Sequence, residues 1–176
     1  MKRVLTLILF FSFLVIGCGD KKADSTTSTE GQNLTPEQKI EEATKLVGAN
    51  KSTQAIVLLT EVMGNNPSEE NGANAAFALG KIYREQNKPN QAVKYYKTLV
   101  EKYPKSDKVK EGIFMLGYLH ANALDDKDKA THFYEEFLKN YPDDELAASV
   151  KFELDYLGKN IQDIDLFKDS QKSSGK

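Results

Sequence analysis

The chain has 176 residues, a formal net charge of −2, 28% charged residues and a single cysteine. A mildly acidic balance makes nucleic acid a poor partner. One cysteine excludes an internal disulfide and a cysteine-based zinc site.

Lys2 and Arg3 precede Val4–Ile16, a run of thirteen residues broken only by Thr6 and Ser12. The run is too short for a comfortable membrane span and has the layout of a secretory signal. It ends in Val15-Ile16-Gly17-Cys18, which resembles a bacterial lipobox. Small Gly17 would let a signal peptidase reach the bond, and the Cys18 thiol would accept a diacylglyceryl group before cleavage. The competing reading is an uncleaved anchor with an incidental cysteine. It leaves unexplained why the sole cysteine falls where the apolar run stops. Residues 1–17 are therefore expected to be a lipoprotein signal peptide, with lipidated Cys18 opening the mature chain and two or more acyl chains anchoring it. Loss of Lys2 and Arg3 with the leader takes the formal charge from −2 to −4.

Residues 19–34 are polar, rich in Ser and Thr, and nearly free of large apolar groups. They cannot bury enough surface to fold and read as a tether, so residues 18–34 form the lipidated, flexible stretch. Sixteen flexible residues reach on the order of 20 Å. Gly19 follows the lipidated position and Asp stands one place later, at Asp20. In the enterobacterial sorting pattern an Asp directly after the lipidated cysteine favours the inner membrane. The expected location is therefore the bacterial cell envelope, at the outer membrane facing the periplasm.

Folded structure is expected over residues 35–160. Thr35 can cap a helix, Pro36 suits its first position, and Gln38 completes a capping box. The apolar spacing predicts helix pairs over 36–48 and 53–63, 69–86 and 89–103, and 107–123 and 126–140. A seventh helix is predicted over 143–158, with Asp143 and Asp144 favouring its N-terminus through the helix dipole. Residues 168–176 are too polar to pack and are expected to be disordered. Ile161, Ile164, Leu166 and Phe167 could fold back over the final helix.

The pairs repeat. Residues 49–67 align with 86–104 at an offset of 37, pairing Ala55 with Ala92, Leu59 with Tyr96, Asn50 with Asn87 and Pro67 with Pro104. Ala130, Tyr134 and Pro142 follow at an offset of 38, while Leu116 and Gly117 repeat Leu79 and Gly80 at 37. The extra residue is expected in the charged turn Asp125–Asp128. Leu79, Gly80 and Tyr83 take the places of L-G-x-x-Y, Ala92 and Tyr96 those of A-x-x-x-F, and Pro104 closes the unit. Gly80 and Ala92 are small where two antiparallel helices touch, and Tyr83 and Tyr96 fill the space beside them. Asn87 suits the left-handed conformation of a tight helix exit.

This pattern resembles the tetratricopeptide repeat family. The resemblance implies an all-α fold, a right-handed superhelical solenoid of three helix pairs plus a C-terminal capping helix. Asp155, standing where Leu79 and Leu116 are followed by Gly, suits a cap with no helix to receive. Lengthened repeats of this kind look like those of bacterial envelope proteins. They are similar to the repeat lipoprotein of the outer-membrane β-barrel assembly machinery and to the repeat segment of the Tol–Pal coordinator of cell division. The chain departs from both, having three repeats and a short tether.

In such repeats the first helix of each pair lines a concave face. Carried over residue by residue, this implies a partner-binding surface of Phe77, Lys81, Arg84, Phe114, Tyr118, Phe152 and Tyr156. The three phenylalanines would form an aromatic ladder, with inter-repeat core as the competing reading. Clamps that grip a C-terminal carboxylate use Lys and Asn where Phe77 and Phe114 stand, so an extended or helical protein segment is the expected ligand. Lys81 and Arg84 would steer it.

His120 and His132 flank one acidic turn. His120 takes the place of Tyr83, which suits a packed, hydrogen-bonded ring, and His132 falls on the exposed side. Without a positioned third ligand, no metal is expected. No phosphate-binding loop, nucleophile elbow or zinc-peptidase pattern occurs, so no catalysis and no cofactor are expected. Two functions remain: a lipid-anchored scaffold for a protein partner, monomeric apart from it, or a self-associating structural lipoprotein. The polar first helix argues against stacking of copies at that end.

Overall fold

The computed structural model describes residues 33–159. The expected leader, Cys18, most of the tether and the tail from residue 161 lie outside them. The described residues form seven α-helices and no strand. They are α1 (Pro36–Gly48), α2 (Ser52–Gly64), α3 (Glu69–Glu85), α4 (Pro89–Lys102), α5 (Val109–Asn122), α6 (Lys127–Asn140) and α7 (Ala147–Asp155).

Thr35 starts α1 with the reciprocal bonds its spacing predicts. Its hydroxyl accepts from the Gln38 N–H at 3.3 Å, and its own N–H donates to Gln38 Oε1 at 2.9 Å. The hairpin exits also agree with the repeat register. Asn50, Asn87 and Asp125 hold φ of 59°, 54° and 49°, a left-handed turn that Asn and Asp tolerate better than most side chains. After Asn50 and Asn87 the same bond closes the helix, from Lys51 N–H to Leu46 O and from Lys88 N–H to Tyr83 O.

Each hairpin is closed by a small residue on its first helix facing a large one on its second. A Cβ at Gly80 would stand 2.7 Å from two ring carbons of Tyr96, and one at Gly117 would stand 2.5 Å from Tyr134. In the first hairpin the matching pair is Ala43 and Leu59, both buried. The larger small residue meets the smaller large one, as dense packing of a fixed gap requires. Alongside, Tyr83 stacks on Tyr95 with centroids 5.4 Å apart and planes 3° apart, and His120 stacks on Phe133 at 5.7 Å and 14°. Residue numbers rise on one helix as they fall on the other across these contacts, so the helices are antiparallel.

Extensive packing joins chain neighbours, with α1 also against α3. Three buried clusters follow one another along the stack, centred on Leu59 and Leu79, then Tyr96 and Leu99, then Tyr134 and Phe137. Between hairpins, Leu99 of α4 fills the place a side chain on Gly112 of α5 would need. Polar ties add to this packing. The amide of Asn71 donates to the Glu37 carboxylate, the Lys105 N–H donates to Glu69 Oε1 at 2.6 Å, and Lys110 Nζ pairs with Asp144 at 2.7 Å. This is an all-α helical-repeat solenoid closed by the single helix α7.

Three local expectations need correction. Helix α7 begins at Ala147, not at residue 143, because Asp144 is occupied elsewhere. One of its oxygens accepts from the Leu146 N–H at 2.9 Å, the other holds Lys110, and the chain turns before the helix starts. Its end at Asp155 is earlier than expected, followed by Gly158 at φ +76°. Second, the inserted residue precedes the acidic turn. His120 keeps the offset of 37 from Tyr83, but the left-handed residue is Asp125, 38 after Asn87. Asp126 then caps α6, its carboxylate accepting from the Lys129 N–H at 3.1 Å. Third, His120 is packed without being hydrogen-bonded through Nδ1, which lies 3.8 Å from the Asp126 carboxylate.

Candidate protein-binding surface

The first helices of the second and third hairpins, with α7, carry one register-related set of side chains. On α3 the row is Phe77, Lys81 and Arg84; on α5 it is Phe114 and Tyr118; on α7 it is Phe152 and Tyr156. Spacings of four and seven hold each set on one helix face.

The structure divides these residues by depth. Phe77 is half-buried, its ring edge-on to Tyr96 at 5.8 Å, with Lys108 Nζ 5.7 Å from its centroid. Phe114 is half-buried against Tyr134 at 6.4 Å and Tyr118 at 6.3 Å. Both therefore wedge into the hairpin as well as edging the surface. Tyr118 and Phe152 are exposed, at 38% and 41%, and Phe152 lies 4.5 Å from Tyr156. No ring pair links Phe77 to Phe114 or Phe114 to Phe152 among the described residues. The aromatic positions are separate rungs, two of them half in the core.

Lys81 and Arg84 are exposed and join no ion pair among the described residues. Lys81 also rims a half-open groove of about 130 Å³ between α1 and α3. Ala43, Val47, Ala78 and Ile82 form its apolar floor, and Glu85 faces it beside Lys81. The α1 contribution was missed in sequence. It was accessible by counting back 37 residues, which takes Arg84 to Val47 and Gly80 to Ala43.

Beneath the surface the phenols of Tyr96 and Tyr134 are fully buried, and neither hydroxyl has a hydrogen-bond partner. Burial pushes the Tyr96 phenol up to about 12, against a smaller lowering influence of Arg84. Burial raises Tyr134 as well. Such phenols stay neutral through the physiological range and act as packing, so they supply no general acid or base there.

The acidic turn offers no better chemistry. His132 is exposed, 3.8 Å from Glu136, and Lys129 already holds the Asp126 carboxylate. No group of three His, Cys, Asp or Glu suited to a metal occurs among the described residues. Cys18 lies outside them. No helix among them is long and apolar enough to cross a membrane.

A family model described as Tetratricopeptide repeat matches residues 74–106 and 111–144. These segments take in most of α3 with α4, and α5 with α6. The first hairpin and α7 fall outside the matches. No curated protein matches the chain.

Proposed function

We propose that this chain is a lipid-anchored scaffold of the bacterial envelope, holding an extended or helical segment of a protein partner along α1, α3, α5 and α7. The coarser part, a tetratricopeptide-type surface for protein–protein contact, follows from the two matched repeats. One observation carries the finer part. At equivalent places on successive hairpins, buried residues stay alike while the exposed residue changes from Lys81 to Tyr118. Packing does not account for that change, whereas a ligand with distinct groups along its length does. Cations at one end and aromatic rings at the other suit a segment with acidic and apolar stretches.

Membrane attachment through acylated Cys18 is supported by the lipobox-like Val15–Cys18 and the polar tether. Outer-membrane placement is supported by Gly19 and Asp20. Work on outer-membrane assembly or envelope maintenance is supported by the likeness in repeat length to envelope proteins of those systems.

The test uses a photo-crosslinker at Thr44, inside the groove. The Arg84→Glu/Tyr118→Ala variant should lose most of the captured partner while its melting temperature stays nearly constant. Undiminished capture, or unfolding by these exposed changes, defeats the groove assignment. Separately, Cys18→Ser should abolish acyl labelling and membrane fractionation; a mature membrane-bound product would defeat the anchor.

A further inference from the structure

We propose that the groove between α1 and α3 receives one aliphatic side chain of the partner, about the size of leucine, with a carboxylate beside it in the partner held by Lys81. The proposal rests on the reading of α1 and α3 as part of a protein-binding surface. It adds the chemistry of the bound segment and the residue that selects it, Ala78.

The groove is open because two places in the repeat register are small. Ala78 corresponds to Met115 one hairpin on, and Thr44 corresponds to Lys81 and then to Tyr118. Met115 packs against the buried cluster around Tyr96 and Leu99. Ala78 is too short to fill the equivalent space, and Thr44 at the rim is the smallest residue of its row. About 130 Å³ is left between the two helices.

The lining decides what can enter. Ala43, Leu59 and Ile82 are buried at the floor, with Val47 and Ala78 half-buried at the sides. All five side chains are hydrocarbon. The Thr44 hydroxyl already donates to Ile40 O at 2.9 Å. Water in such a place finds few partners, and an apolar group that displaces it is favoured. An apolar cavity of about 150 Å³ accepts benzene, so the room here suits one side chain and not the length of a lipid tail. The floor offers nothing to a tyrosine hydroxyl or a tryptophan N–H, which favours an aliphatic group.

Charge at the rim gives the segment a direction. Lys81 and Glu85 stand one helix turn apart, about 6 Å along α3. Both are exposed, and neither joins an ion pair among the described residues. Lysine four places before glutamate is the weaker order for a helical pair, which leaves both groups free for a ligand. Lys81 attracts a carboxylate next to the anchoring side chain, and Glu85 repels one placed a turn further along. An apolar anchor in a dry pocket with charge at its edge is the usual make-up of a strong contact point in an interface.

The probe is a displayed library of random short peptides. It is selected on the purified full chain and counter-selected on Ala78→Met, which copies Met115 and fills the groove. Peptides that bind the first and not the second should share an aliphatic residue with Asp or Glu beside it. A labelled peptide from that set should bind Ala78→Met at least about ten times more weakly, as the loss of one buried aliphatic side chain requires. Lys81→Glu should weaken it a few-fold, an effect that fades in about 1 M salt. The helical circular dichroism and melting temperature of Ala78→Met should hold or rise, since the longer side chain fills open space. Should that variant fold poorly, Thr44→Tyr, which copies Tyr118 at the exposed mouth, takes its place.

Selected peptides that bind the filled variant as tightly as the unaltered chain overturn the proposal. So does a selection that yields no peptide, or peptides without a shared aliphatic residue. Dimerisation of the unaltered chain that Ala78→Met abolishes overturns it in favour of a second copy. Loss of partner capture by Arg84→Glu/Tyr118→Ala together with full peptide binding by Ala78→Met keeps the broader surface and discards the pocket. The reverse result keeps the pocket and discards the broader surface.

Discussion

The hairpins α3–α4 and α5–α6 are two solutions of one packing problem. Both pass a tyrosine beneath a glycine, Tyr96 under Gly80 and Tyr134 under Gly117. Both set a flat ring pair beside that crossing and leave through a left-handed residue. They differ in two places. At the ring pair, Tyr83 and Tyr95 of the first become His120 and Phe133 in the second, and on the outer face cations give way to aromatics. The inner positions are dictated by the gap between two helices, and a gap of fixed width admits few pairs of side chains. Outer positions carry no such constraint, so they are free to differ. The histidine is a case apart from both: the gap accepts it, but its chemistry depends on pH.

The largest expected effect tests the shared crossing. Gly80→Leu or Gly117→Leu must displace a tyrosine ring already within 3 Å of the first added carbon, at a cost of about 1–3 kcal/mol or more. Asp155→Leu, at the corresponding but exposed place on α7, should cost far less. Equal melting shifts at all three would break the equivalence of the hairpins.

The histidine should make the second hairpin acid-sensitive where the first is not. Burial holds His120 below its ordinary value of 6.5, opposed by Asp126 and reinforced by Lys129 and Lys97. A folded state that binds the proton less readily than the unfolded one loses stability as pH falls. The contribution is complete above about 6.5 and declines below it, until the folded value is passed. At most one proton is involved, so the unfolding constant rises no more than about tenfold per pH unit. His120→Tyr, copying the first hairpin, should remove that dependence between pH 7 and 5 in denaturant titrations. A variant retaining the full slope would assign the acid sensitivity to other groups.

The smallest effect concerns the buried phenols. Because neither hydroxyl has a partner, Tyr96→Phe and Tyr134→Phe should leave stability unchanged or raise it by up to about 1 kcal/mol. A loss of similar size in either, seen as a lower denaturant midpoint, would place a hidden bond in that hairpin alone.

The helix order was legible because it depends on spacing. Leu79, Gly80, Tyr83, Ala92 and Tyr96 announce a helix crossing through size alone, and Thr35-Pro36 announces a start through local bonding. The late start of α7 was not legible, since Asp144 can favour a helix dipole or hold Lys110 thirty-four residues away, and only the fold brings that lysine near. The His120 bond failed for a similar reason. Its ring has the right shape for the place of Tyr83, but the extra residue before Asp125 sets the carboxylate too far off. On the surface, sequence identified the helix face and register but not depth. Phe77, Phe114 and Phe152 look alike in a repeat alignment, and only the tyrosine of each hairpin's own second helix, which α7 lacks among the described residues, draws the first two partly into the core.

Packing between neighbours also determines how this molecule would bear force. Helix α1 is held by both α2 and α3, with Glu37 bonded to Asn71 and Lys39 to Glu61. Helix α7 is nine residues long and packs on α6, with Lys110 and Asp144 fastening the link before it. Tension applied between the ends is carried in series, each interface bearing the same load, so the weakest yields first. That interface is the one at α7. The solenoid would peel from its C-terminal end, one layer after another, while the first hairpin held longest.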